Sequence, residues 1–314
     1  MSAAPTYDDV RAAAARIAGI VHRTPVMSSS SLDARLGCRV VFKCENLQKV
    51  GAFKARGALN AVRALSEAEA ARGVITHSSG NHGAAVAWAS RQRGIPCVVV
   101  MPRSAPQVKR DAVAGYGAEV VLCEVKERDA TSARLAVERG LHMIHPFEDP
   151  SVIAGQGTAA LELLEDAGPL DFVLAPVGGG GLLAGTGLAV AGASPGTRVI
   201  GCEPAAVDDA ARSLASGVHQ PRVEDPATAC DGLLTRLGTP NLALLRALQI
   251  EILTASEGAI LRAARDFLER MKIVVEPSGA VPLAVLDERR SRFTGQRVGV
   301  ILSGGNTDFR WLAR

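Results

Sequence analysis

The stretch FVLAPVGGGGLLAGTGLAVAGASPGT, from Phe172 to Thr197, carries no charged residue and does most to decide the fold. It starts as a short apolar run, passes through four glycines at 178–181, and continues into a segment rich in Leu, Ala and Val. Its glycines and two prolines favour a buried strand and helix joined by a tight loop over a membrane span. Such a glycine loop lets backbone N–H groups converge on an anion, although a tight turn without a ligand is the alternative interpretation.

The same alternation of apolar runs and helical patterns extends over most of the chain. Helical segments are predicted, for example, at Ala84–Arg93, Val152–Asp166 and Ser256–Arg270. Continuous apolar runs are typical of strands covered on both faces, so the pattern predicts an α/β fold with a largely parallel sheet. The predicted strands are Val40–Lys43, Val74–His77, Cys97–Met101, Glu119–Cys123, Phe172–Ala175, Val199–Cys202, Glu251–Leu253 and Val298–Leu302.

The composition argues against several classes of protein. The net charge is only +3 over 314 residues, and no basic run with interleaved aromatics is present, so nucleic acid is not an expected partner. The six cysteines are scattered without a CxxC pair, which is typical of reduced thiols and not of disulfides or a zinc site. Residues 1–6 show no basic and apolar leader. We therefore expect a cytoplasmic protein that does not enter a membrane.

Several predicted strands end directly in polar or glycine-rich loops. Ligands of open α/β sheets bind at the carboxyl ends of strands, so these loops are candidates for one shared site. In one of them, Ser79 or Asn81 would also serve as a helix cap, a role compatible with binding a carboxylate at the same helix N-terminus. The loops are 78–83, 178–181, 203–204 and 303–306.

Lys54 is the candidate nucleophile. It stands in the segment Gly51-Ala-Phe-Lys-Ala-Arg-Gly-Ala58, just before a helical stretch. A lysine beside an aromatic residue is ordinarily a solvated surface residue, but in apolar surroundings its charged form is disfavoured and it becomes a usable amine nucleophile and base. Elsewhere, Glu203 and Asp209 offer oxygen ligands for a hard cation, although carboxylates on the surface are common.

Four of these segments occur in a recognisable order: Phe-Lys-x-Arg-Gly-Ala, Ser-Ser-Gly-Asn-His-Gly, four glycines, and Ser-Gly-Gly-Asn. In this order they resemble the serine/threonine dehydratase and serine racemase family, which are pyridoxal-phosphate enzymes of the tryptophan-synthase-β fold type (fold type II). The resemblance extends from Thr24 to Asn306. It implies two α/β lobes, a large cofactor-binding domain of residues 1–68 and 151–314 and a small mobile domain of residues 69–150.

The resemblance also implies cofactor-binding roles. Lys54 would hold pyridoxal 5′-phosphate as a Schiff base and remove the substrate's α-proton, with Phe53 beside the cofactor ring. The N–H groups of Gly178, Gly179, Gly180 and Gly181 would bind the phosphate. Asn81 would bind the 3′-oxygen of the ring, and Ser303 the pyridine nitrogen.

Further roles concern the substrate and a cation. Ser78, Asn81 and His82 would receive the substrate carboxylate, and Ser79 stands where racemases carry a second acid/base. The sequence departs from the family at two places, because Ala52 replaces a common serine and Ala130 stands where mammalian-type racemases carry a substrate-binding arginine. A divalent cation such as Mg²⁺ would be bound by Glu203, Asp209 and the backbone carbonyl of Val207.

The function expected first is an ammonia-lyase that converts L-threonine or L-serine to a 2-oxo acid and ammonia, acting as a homodimer. A neutral hydroxyl at Ser303 would leave the pyridine unprotonated, which favours expulsion of the β-hydroxyl. Serine racemase is one alternative, permitted by Ser79, and a dehydratase of L-threo-3-hydroxyaspartate is another. A binding protein without turnover is the alternative of a different class, and Lys54 and Ser303 count against it.

Overall fold

The computed structural model describes residues 4–78 and 80–313. Eight of its strands match the predicted ones to within one or two residues at each end. Two very short strands, Val26–Ser28 and His142–Met143, had no detectable pattern in the sequence. The strands are β1 Val26–Ser28, β2 Arg39–Cys44, β3 Val74–His77, β4 Cys97–Pro102, β5 Glu119–Cys123, β6 His142–Met143, β7 Phe172–Pro176, β8 Arg198–Pro204, β9 Glu251–Ala255 and β10 Arg297–Leu302.

Helices separate most of the strands. The predicted helix at 256–270 ends earlier as an α-helix, at Asp266, and continues as a π-helical turn over Phe267–Met271. The α-helices are α1 Tyr7–Ile17, α2 Ser30–Leu36, α3 Lys54–Ala64, α4 Glu67–Arg72, α5 Asn81–Arg93, α6 Gln107–Gly115, α7 Arg128–Arg139, α8 Pro150–Ala167, α9 Gly181–Ala193, α10 Asp209–Ser216, α11 Thr239–Ala247, α12 Glu257–Asp266, α13 Pro277–Glu288 and α14 Arg290–Phe293.

The strands form two sheets, which confirms the predicted α/β class with mostly parallel pairing. The larger sheet has the order β1-β2-β10-β7-β8-β9, and only the β1–β2 pair is antiparallel. The smaller sheet has the order β5-β4-β3-β6 and is parallel throughout. All strands of the smaller sheet fall between residues 74 and 143, inside the segment 69–150 that we predict to be a small mobile domain.

Small residues let the helices approach closely. Helices α8 and α9 cross at Gly157 and Gly185, where a Cβ atom on Gly185 would lie 2.6 Å from the backbone nitrogen of Gly157. A Cβ atom on Gly157 would lie 2.6 Å from the carbonyl oxygen of Gly185. Because real Cβ atoms do not approach backbone so closely, glycine is required at this crossing, and dense packing of this kind is how a core poor in aromatic residues is filled.

All six cysteines are buried and free: Cys38, Cys44, Cys97, Cys123, Cys202 and Cys230. Burial raises the pKa of each thiol above its ordinary value. This agrees with the expectation of small apolar residues without disulfides. No helix in the described part of the chain is both long and apolar enough to cross a membrane.

Candidate active site

The segment before α3 is joined to the end of β10. The N–H of Phe53 donates to the carbonyl oxygen of Ser303 at 3.0 Å, and the N–H of Gly305 donates to the carbonyl oxygen of Gly51 at 3.0 Å. Ala52 and Gly304 form an antiparallel bridge between them. Two of the predicted motifs, far apart in the sequence, therefore meet at the carboxyl end of the larger sheet.

Lys54 is the first residue of α3, and its side chain points across the cleft towards the end of β6. Its Nζ donates to the carbonyl oxygen of Pro146 at 2.7 Å and lies 5.0 Å from the centre of the Phe53 ring. Burial lowers the pKa of Lys54 to about 8. More of this amine is therefore neutral near neutral pH than for an ordinary lysine, and the neutral form is the one that acts as a nucleophile or a proton acceptor.

An ion-pair network fixes the helix that carries Lys54. Arg56, wholly buried, donates to both carboxylate oxygens of Glu45, at 2.7 and 2.8 Å, and to Glu162 at 2.8 Å. Lys43, also buried, pairs with Glu162 at 2.6 Å. The two cations are thus matched by two carboxylates, as buried charges require. The network holds the first turn of α3 and with it the base of the Lys54 side chain.

Asn81 begins α5 and joins the smaller sheet to the larger one. Its Nδ2 donates to Glu276 at 3.2 Å, while its Oδ1 accepts a hydrogen bond from Asn306 at 3.0 Å. These two partners determine the orientation of the Asn81 side-chain amide. Burial, and next the nearby Asp231, raise the pKa of Glu276 to about 7. Lys109 of the smaller lobe pairs with this Asp231 at 2.9 Å, so both charges lie near Glu276.

The glycine loop between β7 and α9 is wholly buried. Gly180 has φ +89°, a left-handed conformation, and a Cβ atom on it would lie 2.6 Å from Leu237 Cδ1. A Cβ atom on Gly179 would overlap the Phe147 ring, so these glycines are needed for packing as well as for conformation. No acceptor in residues 4–78 and 80–313 takes a hydrogen bond from the N–H groups of Gly178, Gly179 or Gly180.

Buried N–H groups without protein partners are rare in folded proteins. Three of them in one loop, directly before the N-terminus of α9, suit an anion such as a phosphate. The loop therefore has the chemistry that pyridoxal phosphate needs. Lys54 lies near this loop, since Pro146, which accepts the Lys54 hydrogen bond, is followed by Phe147, whose ring covers Gly179.

A group of ionisable side chains lies where the strands of the smaller sheet end. His77 ends β3, and its Nδ1 lies 3.4 Å from Asp129 Oδ1. Asp129 Oδ1 accepts a hydrogen bond from Arg128 Nε at 3.0 Å. The rings of His77 and His145 stack edge to face at 5.2 Å, and the His145 ring contacts Phe147 in the same way at 4.7 Å. Burial lowers the pKa of both histidines to about 4, so both are neutral at neutral pH.

The predicted substrate residues fall next to this group. Ser78 follows β3 and its Oγ accepts from the N–H of Gly80 at 3.2 Å. The His82 ring is buried, with Nε2 3.3 Å from the carbonyl oxygen of Ile144, and burial together with the Lys54 charge lowers its pKa well below the ordinary value. Ser79 lies outside the described residues, so its role stays a prediction.

The carboxylates predicted to bind a cation are buried near the start of α10. Glu203 accepts from the N–H groups of Ala210 and Ala211 at 3.0 and 2.9 Å, and Asp209 accepts from the N–H of Leu237 at 3.0 Å. Burial raises the pKa of Glu203 to about 8. Residues 4–78 and 80–313 contain no cluster of three His, Cys, Asp or Glu side chains able to hold a metal. A cation here would depend on backbone carbonyls such as that of Val207.

Sequence reasoning missed several residues of the site. Glu276 follows the apolar run Ile273–Val275 and precedes Pro277, and proline is a usual first residue of a helix. A polar residue at the end of this strand-like run was the signal that could have identified Glu276. His145 and Phe147 follow β6, whose two residues are too few to show a pattern. Arg128 begins α7 beside the site, although the family resemblance pointed to position 130.

Comparisons with known proteins agree with this geometry. The family model described as "Pyridoxal-phosphate dependent enzyme" matches residues 17–304. The β-hydroxyaspartate dehydratase of Paracoccus denitrificans is 47% identical over 306 residues, which are 97% of each chain. The crystal structure of serine racemase from Dictyostelium discoideum superposes with a TM-score of 0.93 at 43% identity, covering 98% of this chain and 100% of that one. A crystal structure of T.th. threonine deaminase gives a TM-score of 0.92 at 48% identity, covering 97% of this chain and 99% of that one. These structures confirm the predicted fold type.

Proposed function

Because this chain belongs to the pyridoxal-phosphate dependent enzymes, among their dehydratases and racemases, we propose that it is an ammonia-lyase acting on a β-hydroxy amino acid, with 3-hydroxyaspartate preferred. The observation that carries this choice is the position of Arg128, which contacts Asp129 beside the His77 and His145 rings. Hydroxyaspartate thereby comes ahead of L-threonine and L-serine, which are favoured when the sequence alone is considered.

3-Hydroxyaspartate carries a second carboxylate on its β-carbon. An enzyme that selects this substrate needs a cation near that carbon. Arg128 is close enough to lower the pKa of both His77 and His145, and Lys54 lowers the pKa of His145 as well. His145 is therefore near both the Lys54 amine and the Arg128 guanidinium. Since guanidinium groups bind carboxylates in a bidentate manner, Arg128 is suited to the β-carboxylate of hydroxyaspartate. The 47% identity to a β-hydroxyaspartate dehydratase supports the same choice.

In the proposed reaction, Lys54 would hold the cofactor, and its amine would also remove the proton from the substrate's α-carbon. Its pKa of about 8 suits both tasks. The cofactor, when bound, withdraws electrons from that carbon. Loss of the β-hydroxyl leaves an enamine, which hydrolyses to a 2-oxo acid and ammonia. The cofactor would be held by Lys54, the glycine loop, Asn81 and Ser303, with Phe53 beside the ring.

Glu276 would act through Asn81. Because Glu276 and Asn306 hold the amide in one orientation, the second N–H of Asn81 Nδ2 stays available for the 3′-oxygen of the cofactor. Ser78, Asn81 and His82, at the N-terminus of α5, would receive the α-carboxylate, since a helix N-terminus favours an anion.

Racemisation is the second candidate, supported by the 43% identity to the Dictyostelium serine racemase. It needs an acid/base on the face of the substrate opposite Lys54, and Ser79 is the residue proposed for it. The proposal further includes a divalent cation at Glu203, Asp209 and Val207, because two buried carboxylates with raised pKa values gain most from a cation. We expect a homodimer in the cytoplasm.

The test is an assay of the cofactor-loaded protein with L-threo-3-hydroxyaspartate, L-threonine and L-serine, following the 2-oxo acid and the D-amino acid together. We expect the highest kcat/KM for hydroxyaspartate, with oxaloacetate and ammonia formed in equal amounts. A higher kcat/KM for L-threonine would return the assignment to a threonine ammonia-lyase. D-serine formed faster than pyruvate would make the protein a racemase.

A further inference from the structure

Asn241 contacts the glycine loop from the start of α11. It is the third residue of α11, it is wholly buried, and it belongs to none of the four site motifs. Its Nδ2 donates two hydrogen bonds, to the carbonyl oxygen of Gly179 at 2.6 Å and to that of Phe147 at 2.8 Å. Turning the amide over would place its oxygen against two carbonyl oxygens, so the contacts allow only this orientation.

The Gly179 carbonyl oxygen is held from the same side by a second donor. The N–H of Gly238, just before α11, lies 3.1 Å from it. Both lone pairs of this oxygen are therefore directed at the start of α11. A carbonyl held twice in this way cannot rotate without breaking two hydrogen bonds, one of which, from Asn241, is inaccessible to water.

The direction of the Gly179 carbonyl determines the direction of the next N–H. The peptide bond between Gly179 and Gly180 is trans, and in a trans peptide the C=O and the N–H point in opposite directions. Since the C=O points towards α11, the N–H of Gly180 points away from α11. That N–H has no acceptor among the described residues.

We propose that Asn241 is a positioning residue that directs the N–H of Gly180 at the phosphate of the cofactor. The inference rests on the proposed function, in which the glycine loop binds that phosphate. A preformed donor does not lose conformational freedom when the phosphate binds, so Asn241 contributes to cofactor affinity without touching the cofactor. Its second hydrogen bond, to the carbonyl oxygen of Phe147, holds the backbone of the residue whose ring covers Gly179.

Two variants separate this role from a purely structural one. Asn241→Leu keeps the branched shape, at a larger volume, and removes both donors, and Asn241→Ala removes them without risk of overpacking. Cofactor-free protein is titrated with pyridoxal 5′-phosphate and, separately, with pyridoxal, which lacks the phosphate, and binding is followed by visible absorbance. We expect the Kd for pyridoxal phosphate to rise about 10- to 100-fold, the effect of losing one or two hydrogen bonds. The Kd for pyridoxal should change by less than about twofold.

The control is Arg246→Ala, which removes from the same helix an exposed side chain that donates to the carbonyl oxygen of Gly217. It should leave both affinities unchanged. Equal losses for pyridoxal phosphate and pyridoxal, or no loss for either, would overturn the role of Asn241. If neither variant folds, Asn241→Ser, which keeps one donor, is measured in the same way, and a loss confined to pyridoxal phosphate is again required.

A crystal structure of the cofactor-bound wild-type protein tests the underlying phosphate site separately. A phosphate found elsewhere than in the loop 178–181 would refute the phosphate site and the inference with it. A phosphate found in that loop, combined with unchanged affinity in the Asn241 variants, would refute the inference alone.

Discussion

The two sides of the active-site cleft are built in opposite ways. On one side, the glycine loop is wholly buried, contains no ionisable side chain and offers only backbone N–H groups. On the other side, the ends of the smaller sheet present His77, Arg128, Asp129 and His145, some of them partly exposed. The first side is suited to a phosphate, which stays the same whatever the substrate. On the second side, side chains can be exchanged to suit a different substrate while the fold stays the same.

Lys54 lies between the two sides, and its loss should have the largest effect. We expect Lys54→Ala to lower kcat by at least about 10⁴-fold, because both the covalent link and the base are removed. Turnover of 3-hydroxyaspartate and the visible absorbance of the lysine-bound cofactor are measured together. The control is Lys126→Ala, at an exposed position before α7. Substantial turnover by Lys54→Ala would remove the residue on which the comparison of the two sides depends.

The side of the site formed by the glycine loop 178–181 (the backbone side) should be intolerant of any added side chain. We expect Gly180→Ala to lower the free energy of unfolding by about 3 kcal/mol, from the positive φ together with the contact with Leu237. The matched control is Gly196→Ala, where no heavy atom lies within 4 Å of the added Cβ. That variant should differ from wild type by less than about 1 kcal/mol in urea unfolding. Similar values for the two variants would mean that the glycine loop is not conformationally constrained.

Glu276 connects the two sides through Asn81, and its contribution depends on pH. Its pKa of about 7, raised from 4.5 mainly by burial, means that the folded protein binds this proton more tightly than the unfolded chain. The stability it contributes is therefore complete below about pH 4.5 and lost as the pH rises through about 7. We expect Glu276→Gln to gain about 2 kcal/mol of stability over wild type between about pH 4.5 and pH 8.

Urea unfolding of the cofactor-free proteins at both pH values measures this difference. The exposed Glu127→Gln serves as the control and should show no such change with pH. A pH-independent difference between Glu276→Gln and wild type would show that Glu276 stays ionised throughout, and the junction between the two sides would then need a different electrostatic account.

Changes on the side formed by His77, Arg128, Asp129 and His145 (the side-chain side) should alter substrate specificity. The expected effect is the smallest of the four. We expect Arg128→Met to lower kcat/KM for 3-hydroxyaspartate about tenfold to thirtyfold, the value of one charge-assisted hydrogen bond. The kcat/KM for L-threonine should stay within about twofold, because its β-carbon carries no carboxylate. Arg134→Met, further along α7 and paired with Glu138, is the control. An equal loss on both substrates would show that Arg128 stabilises the site and does not select the substrate.

The sequence predicted the backbone side well and the side-chain side poorly, for a physical reason. Four glycines between an apolar strand and a helix leave few conformations, so the loop 178–181 was recognisable locally. His77, Arg128 and His145 come from three separate connections, and only the order of strands in the smaller sheet brings them together. Asn241 gave no pattern at all, because its role depends on carbonyl groups far away in sequence.

The six buried thiols give the protein a property of practical use. With every cysteine enclosed and every thiol pKa raised, a thiol-reactive dye should find nothing to label while the fold is intact, since the thiolate is the reactive form. One cysteine introduced at Val108, which is 72% exposed on α6, would then carry a single fluorophore. Such a reporter could follow the smaller lobe in real time against a background that stays dark.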